Sequence, residues 1–262
     1  MGSASRAALA SARTVLGGAG ADARAGADLL AAARVLSGSR ALLSAVASAA
    51  GDADKTRALV DRVFSGSVSA PALTVLQAVA AARWSRSSEL VAGLEELGLR
   101  ALSASSSDPS GLASELFSFA RAVASDNALE LALGDKRGDA DRKAALVERL
   151  LRGKASAEAT TVISHLVRDP RGRRTGAMLA GAAATIADEA GRRIAHVTSA
   201  EPLTAEQEQQ VRSSLAARYG TVDLDVTIDP SVLGGLRIGV GHDVIDGTVR
   251  SRIDSLRQKL AG

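Results

Sequence analysis

The side chains best suited to proton transfer or transition-metal binding near neutral pH are the chain's 3 histidines, His165, His196 and His242. They stand far apart in sequence. None belongs to an H-E-x-x-H pattern or has a second ligand at metal spacing. The chain has 0 cysteines, so neither a thiolate metal site nor a disulfide framework is available. Gly239-Val240-Gly241 begins like a dinucleotide loop, but Val244 fills the place of the last glycine, and the alternation around it reads as a hairpin. There is no G-x-S-x-G elbow and no G-x-x-x-x-G-K-[ST] phosphate loop. His196 reads as a satisfied strand residue. The expectation is therefore no catalytic residue, no cofactor and no metal, which leaves recognition between surfaces as the chemistry of this chain.

The elements that would carry those surfaces are mostly helical. Residues Ser5 to Leu16 read as an amphipathic helix with Leu9, Ala12 and Leu16 on one side and Arg13 beside them, ended by Gly17-Gly18. That stripe fits two alternatives, a helix packed on its own domain or a docking helix for a partner. Next comes an internal repeat. Gly51-Asp52-Ala53-Asp54-Lys55 with Ala58-Leu59-Val60-Asp61-Arg62 returns as Gly138-Asp139-Ala140-Asp141-Arg142 with Ala145-Leu146-Val147-Glu148-Arg149, an offset of 87. Upstream, Ala27 to Ala47 aligns with Ala113 to Ala132, starting at an offset of 86. Each copy reads as a bundle of four or five short helices. The Ser- and Pro-containing stretch Ser103 to Pro109 reads as a linker between them. Both copies carry a basic elbow, Arg83-Trp84-Ser85-Arg86 and Pro170-Arg171-Gly172-Arg173-Arg174, which fits a solvated turn or a contact with an acidic surface or phosphate.

Residues Val63 to Ala82 are uncharged, but Ser65, Ser67, Ser69, Pro71, Thr74 and Gln77 suit lipid poorly. The matching run of the second copy carries Arg152, Lys154, Glu158 and His165, so no membrane span is expected. Met1 to Ala12 lacks the apolar core of a secretory signal, and Arg6 breaks the myristoylation pattern. The net charge of +3 is too small and dispersed to propose nucleic acid by itself.

The end of the chain has the densest pattern. Val222, Leu224, Val226 and Ile228 alternate as a strand, Pro230 and Gly234-Gly235 turn the chain, and Leu236, Ile238 and Val240 alternate again. Gly241-His242 fits a hairpin turn into Val244-Ile245, and Asp246 before Gly247 fits a helix N-cap. Val249, Ile253, Leu256 and Leu260 then mark one stripe of a terminal helix. Before this, Ile194 to Thr198 reads as a strand, and Thr204 with Gln207 forms a capping box for a helix with Val211 and Leu215 inward, stopped by Gly220. The expected architecture is α+β and mostly α: helix plus bundle over 1–104, a second bundle over 105–191, and a small α/β domain over 192–262.

Asp229-Pro230-Ser231, Gly234-Gly235, Gly241, Val244-Ile245-Asp246-Gly247 and Arg252 together resemble the C-terminal end of the F-type ATP synthase delta subunit family, to which the mitochondrial oligomycin-sensitivity-conferring protein belongs. Where that family usually has Asp or Asn, this chain has His242. Val197 to Ala200, Pro202-Leu203-Thr204 and Gly172-Arg173 also match it. The resemblance covers residues 113–262 and places Ser5–Leu16 where the family has its first docking helix. Residues 21–104 form an additional copy, as in long actinobacterial-type forms.

The resemblance implies a non-catalytic stator subunit, peripheral on the cytoplasmic side of the membrane. Its helical part would grip the N-terminal segments of the alpha subunits on the alpha/beta head, and its C-terminal domain would meet the b-type subunit of the peripheral stalk. Partner contacts are expected at Leu9, Ala12, Arg13, Leu16, Arg86 and Arg173, and on the terminal helix at Val249, Arg252, Ile253 and Leu256. A basic helical nucleic-acid binder or general scaffold, using the arginine elbows, stands as the alternative.

Overall fold

Helix boundaries follow the capping chemistry of the sequence. A computed structural model of the chain describes residues 1–135, 138–240, 243–251, 253 and 257. The helices of the first half are α1 (Ser3–Gly18), α2 (Ala23–Gly38), α3 (Arg40–Ala49), α4 (Ala53–Phe64), α5 (Ala70–Ala81) and α6 (Ser87–Ser105). They are followed by α7 (Pro109–Ser125), α8 (Asn127–Gly134), α9 (Ala140–Leu151), α10 (Ala157–Arg168) and α11 (Thr175–Glu189). The capping side chains recur: Asp52 accepts from the Lys55 N–H and Asp139 from the Arg142 N–H, while Ser39 and Asp126 cap α3 and α8. Each satisfies an otherwise orphaned N–H of a first turn.

A longer-range pair fixes the register of the repeat. The Asp28 carboxylate accepts from the Ser69 N–H at 2.7 Å, and the Glu115 carboxylate accepts from the Ser156 N–H at 3.0 Å. Both bonds tie the second helix of a copy to the start of its fifth element, so Asp28 corresponds to Glu115. An offset of 86 would pair Asp28 with Ser114, which is exposed. From this point the offset is 87, and the longer Glu reaches as far as Asp does in the first copy.

Helix α6 belongs to both copies. Leu90, Leu94, Leu97 and Ala101 join the core built with α1 to α5. Glu95, Leu99 and Ser103 are also buried, four residues apart on one face. The Ser103 hydroxyl donates to the Ile186 carbonyl of α11 at 2.7 Å. Shifted by the repeat offset, these three positions fall on Ala8, Ala12 and Leu16, the inward stripe of α1. Thus α6 closes the first copy and stands in the place of a first helix for the second. The stretch expected as a linker starts inside this helix, and Ser105 bonds back to the Ala101 carbonyl at 2.6 Å, so its hydroxyl is satisfied without leaving the helix.

The crossing of α2 and α6 is close because glycine meets glycine. A Cβ on Gly26 would lie 2.9 Å from the Gly98 carbonyl oxygen, and one on Gly98 would lie 2.9 Å from the Gly26 oxygen. Residues Met1–Ile186 form one compact unit and Ala187–Gly262 a second.

The second unit contains β1 (Arg193–Ser199), α12 (Ala205–Tyr219), β2 (Val222–Ile228), β3 (Leu236–Val240) and β4 (Asp243–Asp246). The sheet order is β2-β1-β3-β4, with β1 and β2 parallel across the α12 crossover and the other pairs antiparallel. Val211 and Leu215 of α12 cover Ala195, Val197, Val222 and Val240. The Thr204–Gln207 capping box forms as expected, and Gly220 ends the helix at a positive φ of 73°. The α+β, mostly α architecture expected from sequence is the one observed. No single helix among the described residues is long and apolar enough to cross a membrane.

Candidate interaction site

Among the described residues no group of three His, Cys, Asp or Glu side chains is placed to hold a metal ion. The residues singled out for partner contact fall into three places.

The first is α1. Ala12 and Leu16 are buried in the core of the first copy, and Leu9 packs partly buried against it. The apolar stripe therefore faces inward onto α5 and α6 and packs on its own domain, leaving the opposite side of the helix exposed. Exposed positions include Arg6, Ala7, Ala10, Arg13 and Thr14. The helix start is held by Glu89 of α6. Its carboxylate accepts from the Gly2 N–H at 3.2 Å and the Ser5 hydroxyl at 2.6 Å, and Ser5 accepts from the Ser85 N–H at 2.9 Å. The Ser5 hydroxyl keeps the Glu89 carboxyl below its ordinary pKa. Arg86 lies at the rim, exposed, 3.7 Å from Glu89.

The second place is the elbow between α10 and α11, and here the sequence reading missed a partner. Glu95 of α6 is 6% exposed. Arg173 grips it with both terminal nitrogens, at 2.6 Å and 3.0 Å, and Arg171 donates to the same carboxylate. His165 Nε2 stands 3.5 Å away. Arg173, expected at a partner contact, thus also serves an internal ion cluster, with its side chain still 35% exposed. Glu95 sits in the acidic pair Glu95-Glu96, which reads as a solvated helix face. Its spacing to Leu99 and Ser103 is the signal that could have placed it inside.

Burial alone would raise the Glu95 pKa; the nearby His165 ring, the hydrogen bonds from Arg173 and the charges of Arg171 and Arg173 outweigh it and lower the value to about 2. The unfolded chain therefore takes up this proton first as pH falls. The stabilisation, on the order of 3 kcal/mol, is complete above about pH 4.5 and is lost as pH drops to about 2. Urea unfolding followed between those limits should show this loss, and Glu95→Gln should flatten the dependence.

The third place is the C-terminal unit. Gly234 and Gly235 adopt φ of 65° and 80°, open to glycine at little steric cost. They bring the chain against Gly247, whose N–H donates to the Leu236 carbonyl at 2.9 Å. Asp246 accepts from the Thr248 N–H at 3.0 Å, and the Thr248 hydroxyl oxygen accepts from the Ser251 N–H at 3.3 Å. The N-cap oxygen is accordingly that of Thr248, with Asp246 holding it, rather than that of Asp246 as expected. Residues 249–251, 253 and 257 are helical. Val249 and Ile253 are exposed, as are Leu233 and Val244. An open groove beside α12 is lined by Leu203, Val211, Leu215, Leu236, Ile238 and Ile245. Gly241, Arg252 and Leu256 lie outside the described residues.

His196 contacts Asp225 at 3.0 Å across β1 and β2, and Arg192 is bidentate to Asp223. The first pair ties neighbouring strands, and the second ties the residue before β1 to β2.

Residues 97–260 match the family described as ATP synthase delta (OSCP) subunit. The match opens inside α6, earlier than residue 113, where the resemblance begins, and so includes the C-terminal half of the shared helix with the second copy. The chain is 45% identical over 264 residues to ATP synthase subunit delta of Leifsonia xyli subsp. xyli, covering 100% of both chains. It is 37% identical to that of Kineococcus radiotolerans over 78% of this chain and 75% of the relative, and 36% identical to that of Thermobifida fusca over 83% and 82%. A family match over more than half its length and relatives of this identity and coverage agree with the sheet, the double-glycine turn and the helical repeat: the chain belongs to the ATP synthase delta (OSCP) subunit family.

Proposed function

We propose that this subunit of the F-type ATP synthase is a non-catalytic stator connector, peripheral on the cytoplasmic side of the membrane. Its helical unit docks on the N-terminal segments of the alpha subunits of the alpha/beta head, and its C-terminal unit docks on the b-type subunit of the peripheral stalk. By holding the head against the rotating shaft it lets proton-driven torque become ATP synthesis. The observation that carries this reading is family membership over a chain that divides into two compact units, each with its own candidate contact surface. On the first unit that surface is the exposed side of α1, since Leu9, Ala12 and Leu16 turn inward. On the second it is the exposed start of the terminal helix and the groove beside α12. The nucleic-acid alternative is weakened because Arg171 and Arg173 are engaged with Glu95.

Copurification of the full chain with the membrane complex tests the assignment, and its absence from preparations containing alpha, beta and b-type subunits would overturn it. A finer test introduces two charges on the exposed side of α1. Ala7→Glu with Ala10→Glu should leave the melting midpoint nearly unchanged, as exposed substitutions do. It should weaken binding of the head by about tenfold or more, if this side lies at the centre of the contact. Unchanged head affinity would remove α1 from the interface.

A further inference from the structure

The elbow between α10 and α11 is built around one carboxylate. Arg173 presents both terminal nitrogens to Glu95, Arg171 adds a third donor, and His165 stands behind them. Both ring nitrogens of His165 are buried without a hydrogen-bond partner, so the ring adds donor capacity that nothing else satisfies. Arg171 has a φ of 47°, the one non-glycine residue with a positive φ among the described residues. A backbone held there signals a constraint imposed by its surroundings. Asp169, two residues earlier, accepts from the Ser37 hydroxyl of α2 and lies 3.9 Å from Arg171. The elbow is therefore fastened to both α6 and α2.

The first copy does things differently at the corresponding place. The repeat offset carries Glu95 to Ala8, His165 to Ala78 and Arg171 to Trp84. Its elbow is held by the Trp84 indole, which donates to the Val79 carbonyl at 2.8 Å, and by the Ser5–Ser85 bond. The carboxylate receptor thus occurs in the second copy alone of the two, at the helix that both copies share.

We propose that Arg171, Arg173 and His165 form an oxyanion receptor whose resident ligand is the side chain of Glu95, and that this contact is the lock joining the two helical copies through α6. Glu95 acts as a positioning residue. Removing its carboxylate leaves two guanidinium groups facing an empty space that a small carboxylate can enter. The lock's value to a torque-resisting connector rests on the function proposed above, whereas the lock itself is read on the isolated full chain, so either can fail alone.

The test is hydrogen exchange of the full-length protein across residues 168–175, with formate and acetate as probes. Glu95→Ala should speed exchange of the elbow amides by about tenfold or more through local opening. Added formate or acetate should restore slow exchange in a saturable way, while chloride at equal ionic strength should not. Wild-type exchange rates in Glu95→Ala would overturn the proposal. So would an acceleration that neither formate nor acetate reverses. Should Glu95→Ala fail to fold, the cycle of Glu95→Gln, Arg173→Gln and their combination decides. Coupling of about fivefold or more in the unfolding equilibrium supports the lock, and additive effects refute it.

Discussion

Gly98→Val is expected to lower the melting midpoint of the helical unit by about 10 °C while leaving the transition of the C-terminal unit in place. The new side chain has nowhere to go. Its Cβ alone would stand 2.9 Å from the Gly26 carbonyl oxygen and 2.9 Å from two carbons of Leu30. Leu30 is 1% exposed and cannot swing away, and the Gly26 oxygen is helical backbone. Overpacking of this kind costs about 3 kcal/mol. Removing a glycine from a helix interior returns less than about 1 kcal/mol, so the clash wins. For a unit of this size about 3 kcal/mol corresponds to roughly 10 °C. Differential scanning calorimetry of the full chain would read both transitions at once. On the connector reading the same variant should lose affinity for the catalytic head and keep its affinity for the stalk, because α6 underlies α1 through Glu89. Equal loss at both ends would contradict the assignment of one partner to each unit.

The parts of this architecture legible in the sequence were those set by local chemistry. The Thr204–Gln207 capping box depends on two residues within one turn, and strict alternation in β2 and β3 depends on period alone. Gly234-Gly235 marks a left-handed turn because few other residues tolerate one. The repeat was visible because two copies of one pattern reinforce each other across loops. Features that depend on distant partners were not legible. Ser103 and Ser105 look like linker residues until the Ile186 and Ala101 carbonyls that accept from them are known. Glu95 looks like half of a solvated acidic pair until Arg171 and Arg173 are placed beside it. The direction of the α1 stripe stayed open for the same reason, since an apolar face serves a core or a partner equally well. Even the cap of the terminal helix, misplaced by two residues, turned on whether Asp246 could still pair in β4 with Arg237.

Gly235→Ala should act on the other end of the molecule with comparable force. A Cβ at this position would lie 2.4 Å from the Gly247 carbonyl oxygen and 3.0 Å from the Thr248 Cα, both of them backbone atoms. The φ of 80° adds a second cost, about 1–2 kcal/mol for any residue bearing a Cβ. Relief of the contact requires the double-glycine turn to move away from Gly247. That movement breaks the bond from the Gly247 N–H to the Leu236 carbonyl and the bond from the Val249 N–H to the Gly234 carbonyl. Those bonds aim the first turn of the terminal helix. The total, about 4 kcal/mol, is a large share of the stability of so small a unit. Its transition should fall below that of the helical unit or disappear, and binding of the b-type subunit should fall with it while the head is still bound. Gly234→Ala serves as the graded control, because its Cβ would meet no more than Val249 Cγ2 at 3.3 Å, so the backbone cost remains without the backbone collision. If stalk binding survives Gly235→Ala in a C-terminal unit shown by calorimetry to be unfolded, the b-type partner is held elsewhere on the chain.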